Sequence, residues 1–126
     1  MTGDPAPFRI GAAAWRAALA VSLAGIMAIA TTDLPIPLLD GLYDKLKHAA
    51  AFFALAMMAD YSFPASRFGA AKALAVMGYG VLIEGVQHFL PYREASGLDL
   101  VADALGIAAY ALSIPLHRHI PILARR

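Results

Sequence analysis

The chain has 126 residues, 60% of them hydrophobic and only 15% charged, with a formal net charge of +1 and no cysteine. A soluble domain carries roughly 45–50% apolar and about 25% charged residues, so this composition, with a mean hydropathy of +0.65, excludes a disordered chain and points to a membrane. The small net charge excludes a broad basic surface, and with it nucleic acid as a partner; the missing cysteine excludes disulfides, thiolate catalysis and thiolate-held metal.

Four apolar stretches follow one another, and the length allows a single domain, 1–126, with no internal repeat. The first runs from Ala17 to Thr31 (AALAVSLAGIMAIAT) and reaches spanning length, roughly 17–25 residues, only with its flanks and with Arg16 snorkelling to the interface. The same segment also reads as a secretory signal, with Arg9 and Arg16 ahead of the apolar core and Ala28-Ile29-Ala30 as a cleavage site. The second stretch covers Leu46 to Phe63, the third Ala70 to Leu90 and the fourth Leu98 to Leu116. All four are rich in Ala, Gly and Ser, which suits close helix approach in lipid. The expected fold is therefore all-α, an integral membrane bundle of four transmembrane helices. Phe52, Phe53, Met57 and Met58 read as packing, and Trp15, Tyr43, Tyr61 and Tyr92 as an aromatic belt.

Basic residues set the orientation. Arg9, Arg16, Arg67, Lys72, Arg118, Arg125 and Arg126 fall on one side, against Lys45, Lys47 and Arg93 on the other. The bias places both termini in the cytoplasm of a multi-pass plasma-membrane protein. Asp60 and Lys72 lie near the cytoplasmic ends of their spans, where snorkelling or mutual pairing accounts for them. The tail from His117-Arg118-His119 to Arg125-Arg126 reads as a topology anchor.

Ionisable side chains within a bilayer cost a few kcal/mol each and are functional suspects by default. Here they cluster: Asp44, Lys45 and His48 open the second stretch; Glu84, Gln87 and His88 close the third; Arg93 and Ser96 occupy the following loop; Asp99 and Asp103 open the fourth. Crossing the membrane in alternation brings these three segments to one side whatever the absolute orientation. Asp44 and His48, Glu84 and His88, and Asp99 and Asp103 are each four residues apart and share a helix face. Glu84 and Asp103 sit roughly 6–9 Å inside their helix ends at 1.5 Å per residue. The pattern predicts one polar pocket open to the non-cytoplasmic side, with His88 at the aqueous interface.

These residues resemble the pattern of the VanZ-like membrane proteins, in which Asp-Lys-x-x-His opens one helix and Glu-x-x-Gln, an Arg, a Ser, an Asp and Asn-x-x-Gly follow. The chain offers Asp44-Lys45-Leu46-Lys47-His48, then Glu84-Gly85-Val86-Gln87, Arg93, Ser96, Asp99 and Asp103-Ala104-Leu105-Gly106, over about residues 38–110. Asp103 stands where the family carries Asn, a change that alters how the pocket handles a proton or cation. The resemblance implies a small multi-span protein of the bacterial cell envelope, in a family linked to resistance to the glycopeptide teicoplanin.

Three readings of the pocket remain open. In a purely structural one the groups satisfy each other, with Arg93 on Asp99 or Glu84, Lys45 on Asp103, and His48 on Gln87. In a binding one, Lys45, Lys47 and Arg93 hold the anionic head group of a membrane lipid or a lipid-linked envelope intermediate, His48 and Glu84 handle a proton, and Asp99 and Asp103 position the cations. In a catalytic one, His48 with Asp44 or Glu84 is a general base and its orienting carboxylate on a lipid-phosphate substrate. Ser96 lacks an activated serine turn. No HExxH or comparable compact signature is present, so neither a metal nor a cofactor is expected.

Overall fold

The computed structural model describes residues 10–32, 41–91 and 97–117, without the side chains of 41–44. Among the described residues there are four α-helices and no strand: α1 (Ala12–Thr31), α2 (Gly41–Ser62), α3 (Ala70–His88) and α4 (Gly97–His117). α1 starts five residues before the apolar stretch and so gains Trp15 and Arg16. It closes where the Thr31 and Thr32 hydroxyls turn back onto the Met27 and Ala28 carbonyls. α2 also begins five residues ahead of its apolar run, because the polar opening turn carrying Asp44 and Lys45 is helical although not hydrophobic.

α1 and α4 are each long and apolar enough to cross a membrane. α2 and α3 fall short of that measure. The reason is their ionisable load: α2 carries Asp44, Lys45, Lys47 and Asp60, and α3 carries Lys72 and Glu84 and ends on Gln87-His88. Length and apolarity thus provide two of the four expected spans.

Contacts between helix ends fix the topology. At one end the closing turns of α1 and α3 meet through Gln87 and the Ala30 carbonyl, and the opening turns of α2 and α4 meet through Lys45 and Asp99. At the other end Arg16 reaches the Ser62 carbonyl, Lys72 reaches Asp60, and Tyr61 reaches His117. Successive helices therefore run antiparallel, and α2 and α4 run parallel. α2 contacts every other helix and packs most extensively on α4, whereas α1 and α4 make no contact with each other.

The inward stripe of α4 reads Asp99, Ala102, Asp103, Gly106, Ile107, Tyr110 and His117, the three-to-four spacing of one helix face. Four of those seven are ionisable or carry a hydroxyl. The outward side carries Leu98, Val101, Leu105, Leu112 and Leu116, with Leu112 82% exposed. A helix of a water-soluble bundle has the opposite arrangement. The apolar part of the interior is Phe52, Leu55 and Ala56 of α2, Val76 and Ile83 of α3, and Ile107 of α4.

At Gly106 the two parallel helices lie backbone to backbone. A Cβ on Gly106 would lie 2.1 Å from the Ala49 carbonyl oxygen and 3.0 Å from the Phe53 nitrogen, so only glycine allows this backbone-to-backbone approach. Backbone cannot yield as a flexible side chain does. Gly106→Ala is expected to destabilise the fold by about 1–3 kcal/mol, the usual range for an overpacked site. Gly85→Ala, where nothing lies within 4 Å, should be neutral or mildly stabilising. Thermal unfolding of the two variants in detergent checks the contrast.

Candidate functional site

The parallel register of α2 and α4 pairs their opening turns in order, outermost with outermost. Lys45 is ion-paired with Asp99 Oδ1. One turn deeper, His48 Nδ1 is hydrogen-bonded with Asp103 Oδ1 across 3.0 Å. His48 Nε2 lies 3.9 Å from Asp99 Oδ2, so the imidazole stands between the two carboxylates of α4. The sequence-based pairing of Lys45 with Asp103 is corrected to Asp99, and that of His48 with Gln87 to Asp103. The physical reason is that two parallel helices starting at one level match first turn to first turn.

Burial divides the site in two. The Lys45 and His48 side chains are 30% and 22% exposed, while those of Asp99 and Asp103 are 8% and 4% exposed. The basic side chains stand at the front and the carboxylates behind them. A carboxylate in a dry site is costly unless it is paired and hydrogen-bonded, and each aspartate here has a cationic or hydrogen-bonding partner.

α3 closes the site from the side. A Cβ on Gly80 would meet Asp103 Oδ2 at 2.9 Å and the Phe52 ring at 3.1 Å, so the glycine leaves room for the carboxylate. Sequence reasoning passed over Gly80, which belongs to no motif; its one signal is a small residue one turn before Glu84. Glu84 lies on the edge of the same face, half-buried, with Oε1 shut off from solvent. Gln87 is buried, and its Nε2 donates to the Ala30 carbonyl at 3.0 Å, which ties α1 to the site. The expected cleavage motif Ala28-Ile29-Ala30 is thus the last turn of α1. His88 is exposed, with its ring against Phe89, so it does not share the inward face with Glu84. The Asp44 side chain, Arg93 and Ser96 lie outside the described residues, as do the Tyr43 side chain and Tyr92. No group of three His, Asp or Glu side chains among the described residues is arranged to hold a metal ion.

A second polar cluster, at the opposite end of α2 and α4, is more deeply enclosed. Lys72 Nζ donates to Asp60 Oδ1 at 2.8 Å and to the carbonyls of Asp60, Phe63 and Ser66 at 2.8–3.0 Å, which caps the end of α2. Asp60 Oδ2 accepts from the Tyr110 hydroxyl at 2.5 Å. Mutual pairing therefore accounts for Asp60 and Lys72. Ser113 Oγ donates to the Tyr110 carbonyl and lies 3.1 Å from His117 Nε2. That nitrogen must then carry the proton, leaving Nδ1 to accept from the Tyr61 hydroxyl at 2.7 Å. One expectation is corrected here: Tyr61 is a buried partner rather than a belt residue. His117, the first residue of the tail read as a topology anchor, is buried against it. Trp15 packs on Tyr61 with ring centroids 5.1 Å apart, and is half-buried.

Comparison with protein-family models, with curated proteins and with solved structures gave no match. The site is therefore interpreted from its own geometry.

The two ends differ in a measurable way. Lys72 and Asp60 are 10% and 2% exposed, and removing one partner of so enclosed a pair costs about 3–5 kcal/mol. Lys72→Ala should therefore lower thermal stability severely, while Lys45→Ala, which removes a side chain 30% exposed but leaves the enclosed Asp99 carboxylate without its ammonium, should cost less. Thermal unfolding of both variants in one detergent tests the ranking.

Proposed function

We propose that the chain is a VanZ-like integral membrane protein of the bacterial cell envelope. On this reading all four helices cross the plasma membrane with both termini cytoplasmic, and the Lys45–His48 front recognises the anionic head group of a membrane lipid or lipid-linked envelope intermediate. Support for four spans comes from the inverted distribution of polarity. Asp60, Ser62, Gln87, Asp99, Asp103 and His117 are buried, while Leu46 of α2 and Leu74, Val81 and Leu82 of α3 are exposed. Lipid, unlike water, is a good solvent for those outward faces.

The observation that carries the binding reading is the front-to-back order of charge. A ligand reaching the site meets an ammonium and an imidazole, whose positions are held by carboxylates enclosed behind them. That arrangement suits phosphate or carboxylate. The sequence adds Lys47, exposed on the opening turns of α2, and Arg93, in the segment after α3.

A second reading, a membrane enzyme acting on a lipid phosphate, draws on the bond from His48 Nδ1 to Asp103. A carboxylate at that nitrogen orients an imidazole for acid–base work at the other. The two readings separate on His48→Gln, which keeps a donor but has no titratable nitrogen. An enzyme loses turnover of phosphatidylglycerol or polyprenyl phosphate on that change, and a recognition module keeps its lipid.

Two measurements test the proposal. The native chain has no cysteine, so single cysteines report topology directly. Lys47→Cys should react with a membrane-impermeant maleimide on intact cells and Ala65→Cys should not; equal labelling of both sinks the spanning arrangement of α2. Native mass spectrometry of the protein released gently from its own membrane should show a retained anionic lipid that Lys45→Ala loses. Unchanged retention in that variant overturns the binding site.

A further inference from the structure

Asp99 faces two basic side chains at once. Oδ1 pairs with Lys45, and Oδ2 lies 3.9 Å from His48 Nε2, so one carboxylate lies between the ammonium and the imidazole. Asp103 behaves differently: it bonds only the inner nitrogen of His48 and is wedged beside Gly80 and Phe52. Of the two carboxylates, Asp99 is the one paired with the more exposed Lys45, and Asp103 is the support fixed deeper between the helices.

Asp99 also has an alternative place to go. It lies in the first turn of α4, three residues into a helix that begins at Gly97. Backbone N–H groups of a first turn have no intrahelical acceptors and favour a negative charge nearby, by roughly 0.3–1 kcal/mol. A carboxylate leaving Lys45 can therefore remain partly compensated at the end of its own helix. Asp103, one turn further in, has no such outlet.

We propose that Asp99 is a built-in stand-in for the ligand: its carboxylate occupies Lys45, beside His48, in the resting site and is displaced when the phosphate of a lipid head group arrives. This inference rests on the head-group reading above and adds its regulation. The site is closed to weak anions by its own aspartate, and it opens only to a group that binds the two basic side chains better than a carboxylate does. A phosphate monoester meets that condition through its greater charge and its third acceptor oxygen, whereas a diester carries a single charge on two oxygens, as a carboxylate does. Lys45 is exchanged from one anion to another, so its ammonium is not stranded at any stage.

The test uses the full chain in detergent, titrated with phosphatidylglycerol, with a polyprenyl monophosphate, and with phosphatidylcholine as the zwitterionic control. Asp99→Asn should bind one of the two anionic lipids about tenfold more tightly than the native chain, as expected when a charge-assisted contact no longer competes. The lipid that gains identifies the diester or monoester source. Adding Lys45→Ala to Asp99→Asn should abolish the gain. Equal or weaker binding by Asp99→Asn, at unchanged helix content, overturns the stand-in role but leaves the head-group reading intact. If the native chain and Lys45→Ala bind all three lipids equally, the head-group reading itself fails. The native protein supplies a check that does not depend on a variant folding. With its histidines 15N-labelled, saturating anionic lipid should shift the Nε2 resonance of His48 and leave Nδ1, held by Asp103, in place. Binding that moves neither nitrogen, or Nδ1 alone, overturns the displacement.

Discussion

Gly106 sets the separation of α2 and α4, and the polar architecture depends on that separation. With the Gly106 backbone lying directly on the Ala49 carbonyl, the short side chains of Asp99 and Asp103 can reach Lys45 and His48 at one end. Tyr110 and His117 can reach Asp60 and Tyr61 at the other. A methyl group at position 106 pushes the two helices apart, perpendicular to their axes, and both ends feel it. The Gly of the Asp103-Ala104-Leu105-Gly106 motif is thus a spacing device, and its neighbour one turn earlier is the residue that the spacing serves.

The two ends of this seam are built from similar chemistry for different purposes. The Lys72 end is more enclosed: one ammonium bonds a carboxylate and three carbonyls, and Tyr61 and His117 bond each other beside it. It is tied down from two further sides, since Arg16 of α1 donates to the Ser62 carbonyl at 2.8 Å and lies over the Phe63 ring. The Lys45 end uses the same charges but leaves the basic side chains partly in solvent. An anchored end and an open end on one helix pair give a rigid platform for whatever the open end meets.

Much of the candidate site was legible because helical spacing and alternation of direction are enough to collect it. Lys45, His48, Asp99 and Asp103 meet as expected from counting crossings. The pairing within the cluster was not legible. Whether Lys45 reaches Asp99 or Asp103 depends on the register of two helices that are distant in sequence, and no local signal encodes it. Tyr61 was misplaced for a related reason. An aromatic or a histidine near a helix end looks the same in sequence whether it faces lipid or a neighbour, and only the rotation of α2 against α4 decides. Gly80 could be valued only after Asp103 was seen beside it.

The residue order by itself determined that the chain is helical, that its helices alternate in direction, and that its ionisable groups gather at helix ends, because periodicity, span length and the cost of charge in an apolar setting act locally. Tertiary structure decided which charge holds which, which tyrosine is buried, and which glycine is indispensable. Those outcomes follow from helix rotation and separation, and both are set by packing between segments that lie some fifty residues apart.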